Sequence, residues 1–585
     1  MVVNTQIEIS MQIRQLKIRN FRGIATLDWS PERPFCCLIG AGDTGKSSIL
    51  DAIEATLSPR WFVFGEPDFH CCDTASSIVI EATVGELSRQ LMSDERFGLY
   101  TRGWSRAGEL RDEPEDDDEA VLTVRLTVDA TLEPVWELVC DRLDHPRTLS
   151  NRDRMLFGLI RLAGEDARHL AWGQGSVLSR LTGDTDGAAA RLAQAYRAAR
   201  DNANLDEIES LTNAASQAEA FARSLGAYIN DSYEPGLELG RSGMSSSAIA
   251  LHDSGVPLRL AGLGTRRLAT LAIQKSAMSE GAIVLVDEIE HGLEPHRILG
   301  GIAQLKADQR DAEAANRPVG QILMTTHSDV ALGEAGANSL YVCQLNKQDR
   351  TLTVIPPSAP APIRALMRHT PRALFAKKIL VAEGMTEVGL LLGIREFWPS
   401  RHNQKPIEQL GSAIANGNGA EAVSLAVALS NLGYPVALFR DSDVPLRPEE
   451  NADLAATHVS VFEYGHMLNT EQAIFNSASD QMVQRLLEYV RDERGVDPVN
   501  DSIFPAIPGM SKAMVAQDFS TWGLDSHFTA LELRERLAEV AGRKKWFKDN
   551  RIGREIAPIV WSIVSADETS PLSCTLAQVE EWLYA

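Results

Sequence analysis

The chain has 585 residues, 44% hydrophobic and 23% charged, with a formal net charge of −23. That length allows about three or four domains. The acidic surplus excludes a protein that coats nucleic acid with its whole surface, but leaves room for a local basic channel. No apolar run reaches the ~20 residues that span a bilayer, and no secretory leader is read at the N-terminus. The seven cysteines form no C-x-x-C pair. The expectation is a cytoplasmic protein with reduced thiols, no zinc site and no membrane partner.

The segment MQIRQLKIRNFRGI (Met11 to Ile24) alternates apolar and polar positions, as a half-buried strand does. FCCLIG is a short apolar strand running into GAGDTGKSS, and SSILDAIEATL then has helical spacing. Gly40, Gly42, Asp43, Thr44, Gly45, Lys46 and Ser47 lie in a G-x-x-x-x-G-K-[ST] loop, followed by Ser48. The glycines let the backbone wrap phosphate, and the loop amides with the helix N-terminus attract the anion. Lys46 can reach the β- and γ-phosphates, and the Ser47 hydroxyl can reach one Mg²⁺ held with ATP. The acidic run DEPEDDDEA (Asp112 to Ala120) reads as a solvated loop. These parts make an N-terminal lobe over 1–144.

Residues 145–235 are rich in Ala, Leu, Arg and Glu and read as mostly helical. A dimerisation arm and an ordinary helical subdomain fit this composition equally well. A second lobe follows over 236–355. GAIVLVDE is a buried parallel-type strand that ends in Asp287, suited to the acid behind Mg²⁺, and Glu288, suited to orienting the attacking water. QILMTTHS repeats the pattern and places His327 as a γ-phosphate sensor.

PPSAPAP opens a linker over 356–370, and a second α/β unit begins there. KKILVAEG and PVALFRDSD are apolar strands ending in Glu383 and in Asp441 and Asp443, with Glu387 four residues beyond Glu383. Asp441 and Asp443 share a face if the strand continues. Carboxylates gathered there would repel without cations between them, and an all-oxygen set selects Mg²⁺ or Mn²⁺. Spacing alone serves separate caps and surface acids equally well. Residues 476–585 read as helical, with a basic segment GRKKWFKDNRIGR carrying Arg543, Lys544, Lys545, Lys548, Arg551 and Arg554. A weaker basic group is Arg364, Arg368, Arg372, Lys377 and Lys378.

The order of the N-terminal parts resembles the ABC-type ATPase heads of the SMC, RecF and Rad50 group. LKIRNFRGI matches their opening strand, and LAGLGTRRLATLAI stands where their signature motif does, placing Gly264 toward nucleotide. The sequence departs from the group there, with Gly262-Leu263-Gly264 in place of Ser-x-Gly. Glu294-Pro295-His296 follows like a D-loop. Such heads place ATP between protomers, which implies a homodimer or a dimer of dimers.

The pattern E-G-x-x-E, then IANGNGAEAV, then D-x-D resembles the Toprim domain, over 371–475. Head plus Toprim resembles the OLD (overcoming lysogenization defect) nuclease family, class 2, similar to Gabija nuclease subunits. The fold class implied is α/β: an ABC-type head with a helical insertion, a Toprim domain and a helical C-terminal region. The resemblance implies two Mg²⁺ ions, with Mn²⁺ or Ca²⁺ as substitutes, held by Glu383, Glu387, Asp441 and Asp443. Glu383 doubles as general base, and Glu471 resembles a later acidic ligand. Lys548 follows Trp-Phe as in the family and would stabilise the scissile phosphate. The implied function is an ATP-regulated, metal-dependent endonuclease for double-stranded DNA in anti-phage defence, beside a UvrD-like helicase. The alternative is a non-nucleolytic ATP-dependent clamp like RecF, with a degenerate Toprim domain.

Overall fold

The computed structural model describes residues 11–585 apart from 60–61, 89, 94–95, 163–169, 173–175, 177, 179–204, 238–248, 279–281, 316, 318 and 527. The chain divides into two compact units, Met1–Pro356 and Pro357–Ala585.

In the first unit fourteen described strands form one sheet with two characters. Ile160–Leu162, Val284–Val286, Ile322–Thr325, Phe35–Ile39 and Leu340–Leu345 lie side by side and parallel. Each of these runs is continuously apolar or nearly so because both faces are covered, and every residue of Phe35–Ile39 is buried. Thr351–Ile355 turns antiparallel and passes the sheet to Ile24–Trp29. From there Gln12–Phe21, Ile78–Gly85, Glu119–Val128 and Pro134–Val139 run antiparallel. In this half one face is wet: Leu16 and Ile18 are buried while Lys17 and Arg19 point away and Lys17 stands opposite Glu81. The helix Lys46–Leu57 covers the other face with Ile49, Leu50, Ile53 and Leu57, all fully buried.

The expectation of a mostly helical 145–235 needs correction in its described part. Glu209–Ser224 is a helix, but Ile160–Leu162 is an edge strand of the parallel half and Tyr233–Leu237 is a strand of a small separate sheet. A three-residue apolar run carries too little periodicity to separate strand from helix. Of the alanine-rich stretch 187–230 that suggested an arm, 187–204 lies outside the described residues and the rest holds the helix Glu209–Ser224.

The second unit has four parallel strands in the order Ser412–Asn416, Lys378–Ala382, Val436–Arg440, Ser460–Glu463. Parallel pairing puts all four carboxyl ends at one edge. Helices make up the rest, among them Thr470–Ser477, Ala530–Lys544, Asn550–Ala566 and Pro571–Tyr584. The chain divides at Pro356–Pro357, inside the expected linker 356–370, and Pro360–His369 within that segment is helical. Proline at the first helical position lacks only an amide that has no partner there, and Ile363, Leu366 and Met367 give the helix a buried stripe. Among the described residues no helix is long and apolar enough to cross a membrane.

One crossing decides what meets what in this unit. The helix Met385–Ile394 packs on Asn550–Ala566 through glycines on both sides. A Cβ on Gly389 would come within 2.4 Å of the Asn550 carbonyl, and one on Gly393 within 2.3 Å of Ala557 Cβ. On Gly553 it would stand 2.8 Å from the Thr386 carbonyl. Backbones this close cannot separate without losing the contact, so the turn before Asn550 is held beside the start of the Met385 helix.

Candidate nucleotide site and acidic centre

The nucleotide site grows from one strand–loop–helix unit. Gly40, at φ +146°, passes so near the Cys343 carbonyl that a Cβ would lie 2.5 Å from it, so only glycine fits. Lys46 opens the helix and folds over the loop, with Nζ donating to the Ala41 carbonyl at 2.8 Å and the Gly40 carbonyl at 3.1 Å. Burial lowers its pKa from the ordinary lysine value. Asp43 takes a left-handed backbone (φ 60°), and Gly42 has open space where a side chain would be. Ser47 Oγ donates to Asp287 Oδ1 at 3.1 Å, which joins the loop to the end of the distant Val284–Val286 strand. Thr44 is buried against the loop, its Oγ1 donating to the Ala41 carbonyl, and Ser48 is half-buried one turn into the helix.

Asp287 is held on three sides. Thr325 Oγ1 donates to Oδ1 at 2.7 Å, and Arg161 Nη2 donates to Oδ2 at 2.9 Å. Arg267 Nη2 donates to the Asp287 carbonyl at 2.8 Å and also to that of Glu288. Glu288 follows with φ 44°, a strained conformation for a non-glycine residue, fixed by its amide donating to Thr325 Oγ1. Its carboxylate is half-exposed, 3.9 Å from His291 Nδ1. His327 donates its amide to Glu290 Oε1 at 2.6 Å. Burial, and then the Lys46 charge, lower the His327 pKa, so the ring is neutral at pH 7. Gly264 lies at the start of the helix Leu263–Met278, and a Cβ there would stand 2.9 Å from the Gly292 carbonyl. The signature segment thus packs on the loop that leads to Glu294. Arg161, Arg267, Thr325 and Glu290 went unread in the sequence. Thr325 sits in the quoted TTHS and could have been found, whereas a lone arginine on a three-residue strand gives no signal.

In the second unit Glu383 lies just beyond the strand Lys378–Ala382, its backbone fixed by the Gly419 amide donating to its carbonyl at 2.6 Å. Glu387 is in the first turn of the helix that begins after Gly384, and Glu471 is in the first turn of Thr470–Ser477. A helix N-terminus favours a carboxylate there. Asp441 and Asp443 do not share a strand face, because the strand ends at Arg440. A turn carries them instead, pinned by the Ser442 amide donating to the Leu468 carbonyl at 3.0 Å.

These acids meet. The Asp441 amide donates to Glu383 Oε2 at 3.1 Å. Thr470 Oγ1 stands 2.9 Å from Glu387 Oε1 and 2.8 Å from Asp441 Oδ1. One hydroxyl has one proton to give, so one of these two carboxyls must carry a proton or meet a cation. Burial, with added repulsion from the neighbouring acids, raises the pKa of Glu383, Glu387, Asp441 and Glu471. Asp443, exposed at the rim, adds to the repulsion on Glu383, Asp441 and Glu471. Lys548, which follows buried Trp546 and Phe547, acts on Glu383 and Glu471 in the opposite sense. The glycine crossing explains its presence there, with Phe547 packed on Phe475, ring centroids 6.1 Å apart. As they stand, no three acids among the described residues are arranged as ligands to one ion. Yet Glu471, at 3% exposure, has an Oε1 with no hydrogen-bond partner. A buried orphan oxygen near the Glu387 and Asp443 carboxylates is what a hard cation would satisfy.

Thr470 was missed, although NTEQ reads as a capping box. In the basic segment Arg551 is half-exposed and ion-paired with Glu493 and Glu555, and in the weaker basic group Lys378 donates to the Trp582 carbonyl.

Comparison with known proteins fits the first unit. Residues 11–94 match the family model described as "AAA ATPase domain". Residues 167–333 match the one described as "AAA domain, putative AbiEii toxin, Type IV TA system". No curated protein matches the chain. Among solved structures, an SMC head bound to the C-terminal winged-helix domain of ScpA is 13% identical, with a TM-score of 0.35 over 59% of this chain and 97% of that one. The recombination mediator RecF with ATP is 12% identical, with a TM-score of 0.34 over 59% of this chain and 100% of its own. The SMC head of Thermotoga maritima is 13% identical, with a TM-score of 0.28 over 60% and 100%. At those scores the fold rests on this chain's own sheet order and phosphate loop. From those and the two family matches, the chain carries an ATPase domain of the AAA/ABC class.

Proposed function

We propose that this chain is an ATP-regulated, divalent-metal-dependent DNA endonuclease with a Toprim-type acidic centre, in the manner of the OLD family. The observation that carries the reading is the Thr470 hydroxyl standing between Glu387 and Asp441 at the carboxyl edge of a parallel sheet, with Glu383 on the Asp441 amide and the Lys548 charge acting on Glu383 and Glu471. Ligands gather at that edge in open α/β sheets. Glu383, Asp441, Asp443, Glu387 and Glu471 would hold two divalent ions, which supply an activated water and a charge on the leaving oxygen. The chain's own part is positional. Thr470 orders Glu387 against Asp441, the Ser442–Leu468 bond holds the Asp441–Asp443 turn, and Lys548 offers its cation to the scissile phosphate. Burial of the Glu387 and Glu471 carboxylates keeps bulk water from their oxygens.

The nucleotide site sits in the other unit, and its role in this reading is control. ATP can shift an arrangement of the chain only by its difference in affinity for the two states. Pairing of two copies about ATP, double-stranded DNA as substrate, a helicase partner and anti-phage defence belong to the same reading and rest on resemblance.

Supercoiled plasmid with Mg²⁺ or Mn²⁺ tests it. Wild type nicks or linearises the plasmid, and Glu383→Ala and Asp443→Ala each lower the rate at least ~100-fold. Equal cutting by both variants would place the chemistry elsewhere.

A further inference from the structure

The helix Lys46–Leu57 carries Ser47, Asp51 and Glu54 at positions i, i+4 and i+7, which share one stripe of a helix. Arg161 stands against that stripe. In the parallel pairing of Ile160–Leu162 with Val284–Val286 it lies opposite Leu285, two residues before Asp287. Its Nη1 donates to Glu54 Oε2 at 2.9 Å and also to Asp51 Oδ1, and its Nη2 donates to Asp287 Oδ2 at 2.9 Å. The Arg161 side chain is 12% exposed and Glu54 is buried, so these charges meet largely out of bulk water. One arginine thus ties the phosphate-loop helix to the acid at the end of another strand. Asp51 also pairs with Arg22, from the turn between the two opening strands.

The two oxygens of Asp287 are held differently. Oδ1 accepts from Ser47 at 3.1 Å and from Thr325 at 2.7 Å. A hydroxyl that gives its one proton to Asp287 keeps its oxygen lone pairs for a cation, which is what the Mg²⁺ role of Ser47 requires. Ser47 and Thr325 grip the same oxygen, so neither stops the carboxylate from swinging about it. Arg161 grips the other. A guanidinium presents its N–H groups in one fixed plane, so two nitrogens that bridge two elements fix direction as well as distance. A counter-ion that served only Asp51 and Glu54 would need the Nη1 contacts alone. The Nη2 bond goes to the acid beside the nucleotide.

We infer that Arg161 is a positioning residue for ATP hydrolysis: by holding Asp287 Oδ2 it keeps Oδ1 on the Ser47 hydroxyl, and with it the place where Mg²⁺ joins the nucleotide. Residues that orient a metal-binding group commonly matter about 10- to 100-fold for metal affinity or activity. Nothing in this role depends on the acidic centre of the second unit.

The test measures how far Mg²⁺ tightens nucleotide binding by the full chain. Affinity for a fluorescent, non-hydrolysable ATP analogue is measured in EDTA and in saturating Mg²⁺, and hydrolysis of ATP as phosphate release. Arg161→Lys keeps a cation beside Asp51 and Glu54 but cannot span two elements with two nitrogens. Arg161→Met with Glu54→Gln removes one buried charge of each sign, which spares the fold an unpaired acid. Both are expected to bind the analogue in EDTA as wild type does. Both are expected to lose about tenfold of the tightening by Mg²⁺ and to hydrolyse ATP about tenfold more slowly. In an Asp287→Asn background Arg161→Lys is expected to cost nothing further. Wild-type tightening and rate in the paired variant would mean that Arg161 only neutralises Glu54, and would overturn the inference. So would a loss of affinity equal in EDTA and in Mg²⁺, which marks a change in the loop itself, or a full additional loss in the Asp287→Asn background. No tightening by Mg²⁺ in the wild type would overturn the role of Asp287 as well.

Discussion

The two sites are built on opposite plans. The nucleotide site takes most of its chemistry from one continuous stretch, Gly40 to Ser48, whose geometry is set locally by a strand, a glycine loop and a helix N-terminus. Distant residues only trim it: Asp287 accepts from the Ser47 hydroxyl, and Thr325 and Arg161 hold Asp287. The acidic centre has no such stretch. Its residues come from two strand ends, two helix N-terminal turns and a post-helix turn, and its lysine arrives only because two helices cross on glycine. A local site survives much change elsewhere, while a distributed one fails when any supporting contact fails.

Breaking the local site should give the largest effect. Lys46→Ala removes the cation that folds over the phosphate loop, and ATP hydrolysis should fall by ~100-fold or more, measured as phosphate release. Metal-dependent DNA cutting without nucleotide should persist, and its loss would mean that the two sites are not separable. The distributed site should break from a distance. Gly389→Val places a side chain against the Asn550 carbonyl, at a cost of about 1–3 kcal/mol. Lys548 moves with that helix start, so cutting should drop while ATP hydrolysis stays at wild-type rate. Unchanged cutting would show that the glycine crossing does not position the lysine.

The smallest effect sharpens the comparison through pH. Burial holds Glu383, Glu387, Asp441 and Glu471 above their ordinary range. Such groups bind more protons folded than unfolded. The stability they lend to the metal-free chain is full below the ordinary carboxylate pKa of about 4, and is lost as pH rises through the raised values. Divalent ions favour the charged forms and should reverse the loss. The Mg²⁺-induced rise in Tm should therefore grow with pH, by about 2–4 °C for each kcal/mol in a domain of this size. Thermal melts in EDTA and in Mg²⁺ across pH 5–8 measure it, and a rise that shrinks with pH would place the ions elsewhere.

The phosphate loop was legible because glycine, lysine and serine must stand at fixed spacing on one turn. The parallel strands were legible because burial on both faces makes continuous apolar runs. Asp441 and Asp443 were found for a partly mistaken reason, since the strand ends before them and a turn does the gathering. Short Ile160–Leu162 was missed, and with it Arg161, because three residues hold no period. Pro360–His369 was hidden by its prolines, which are tolerated at a helix start.

By itself the sequence determined an ATP-binding loop, its partner acid and the α/β class, all properties of spacing along the chain. Only the tertiary structure decided that Glu387 and Asp441 share one hydroxyl, that Glu471 is buried with an unmatched oxygen, and that Lys548 rather than Arg551 stands beside the acids. Those facts depend on how closely separate helices and strand ends can approach, and that distance is set by what the glycines at the crossing leave out.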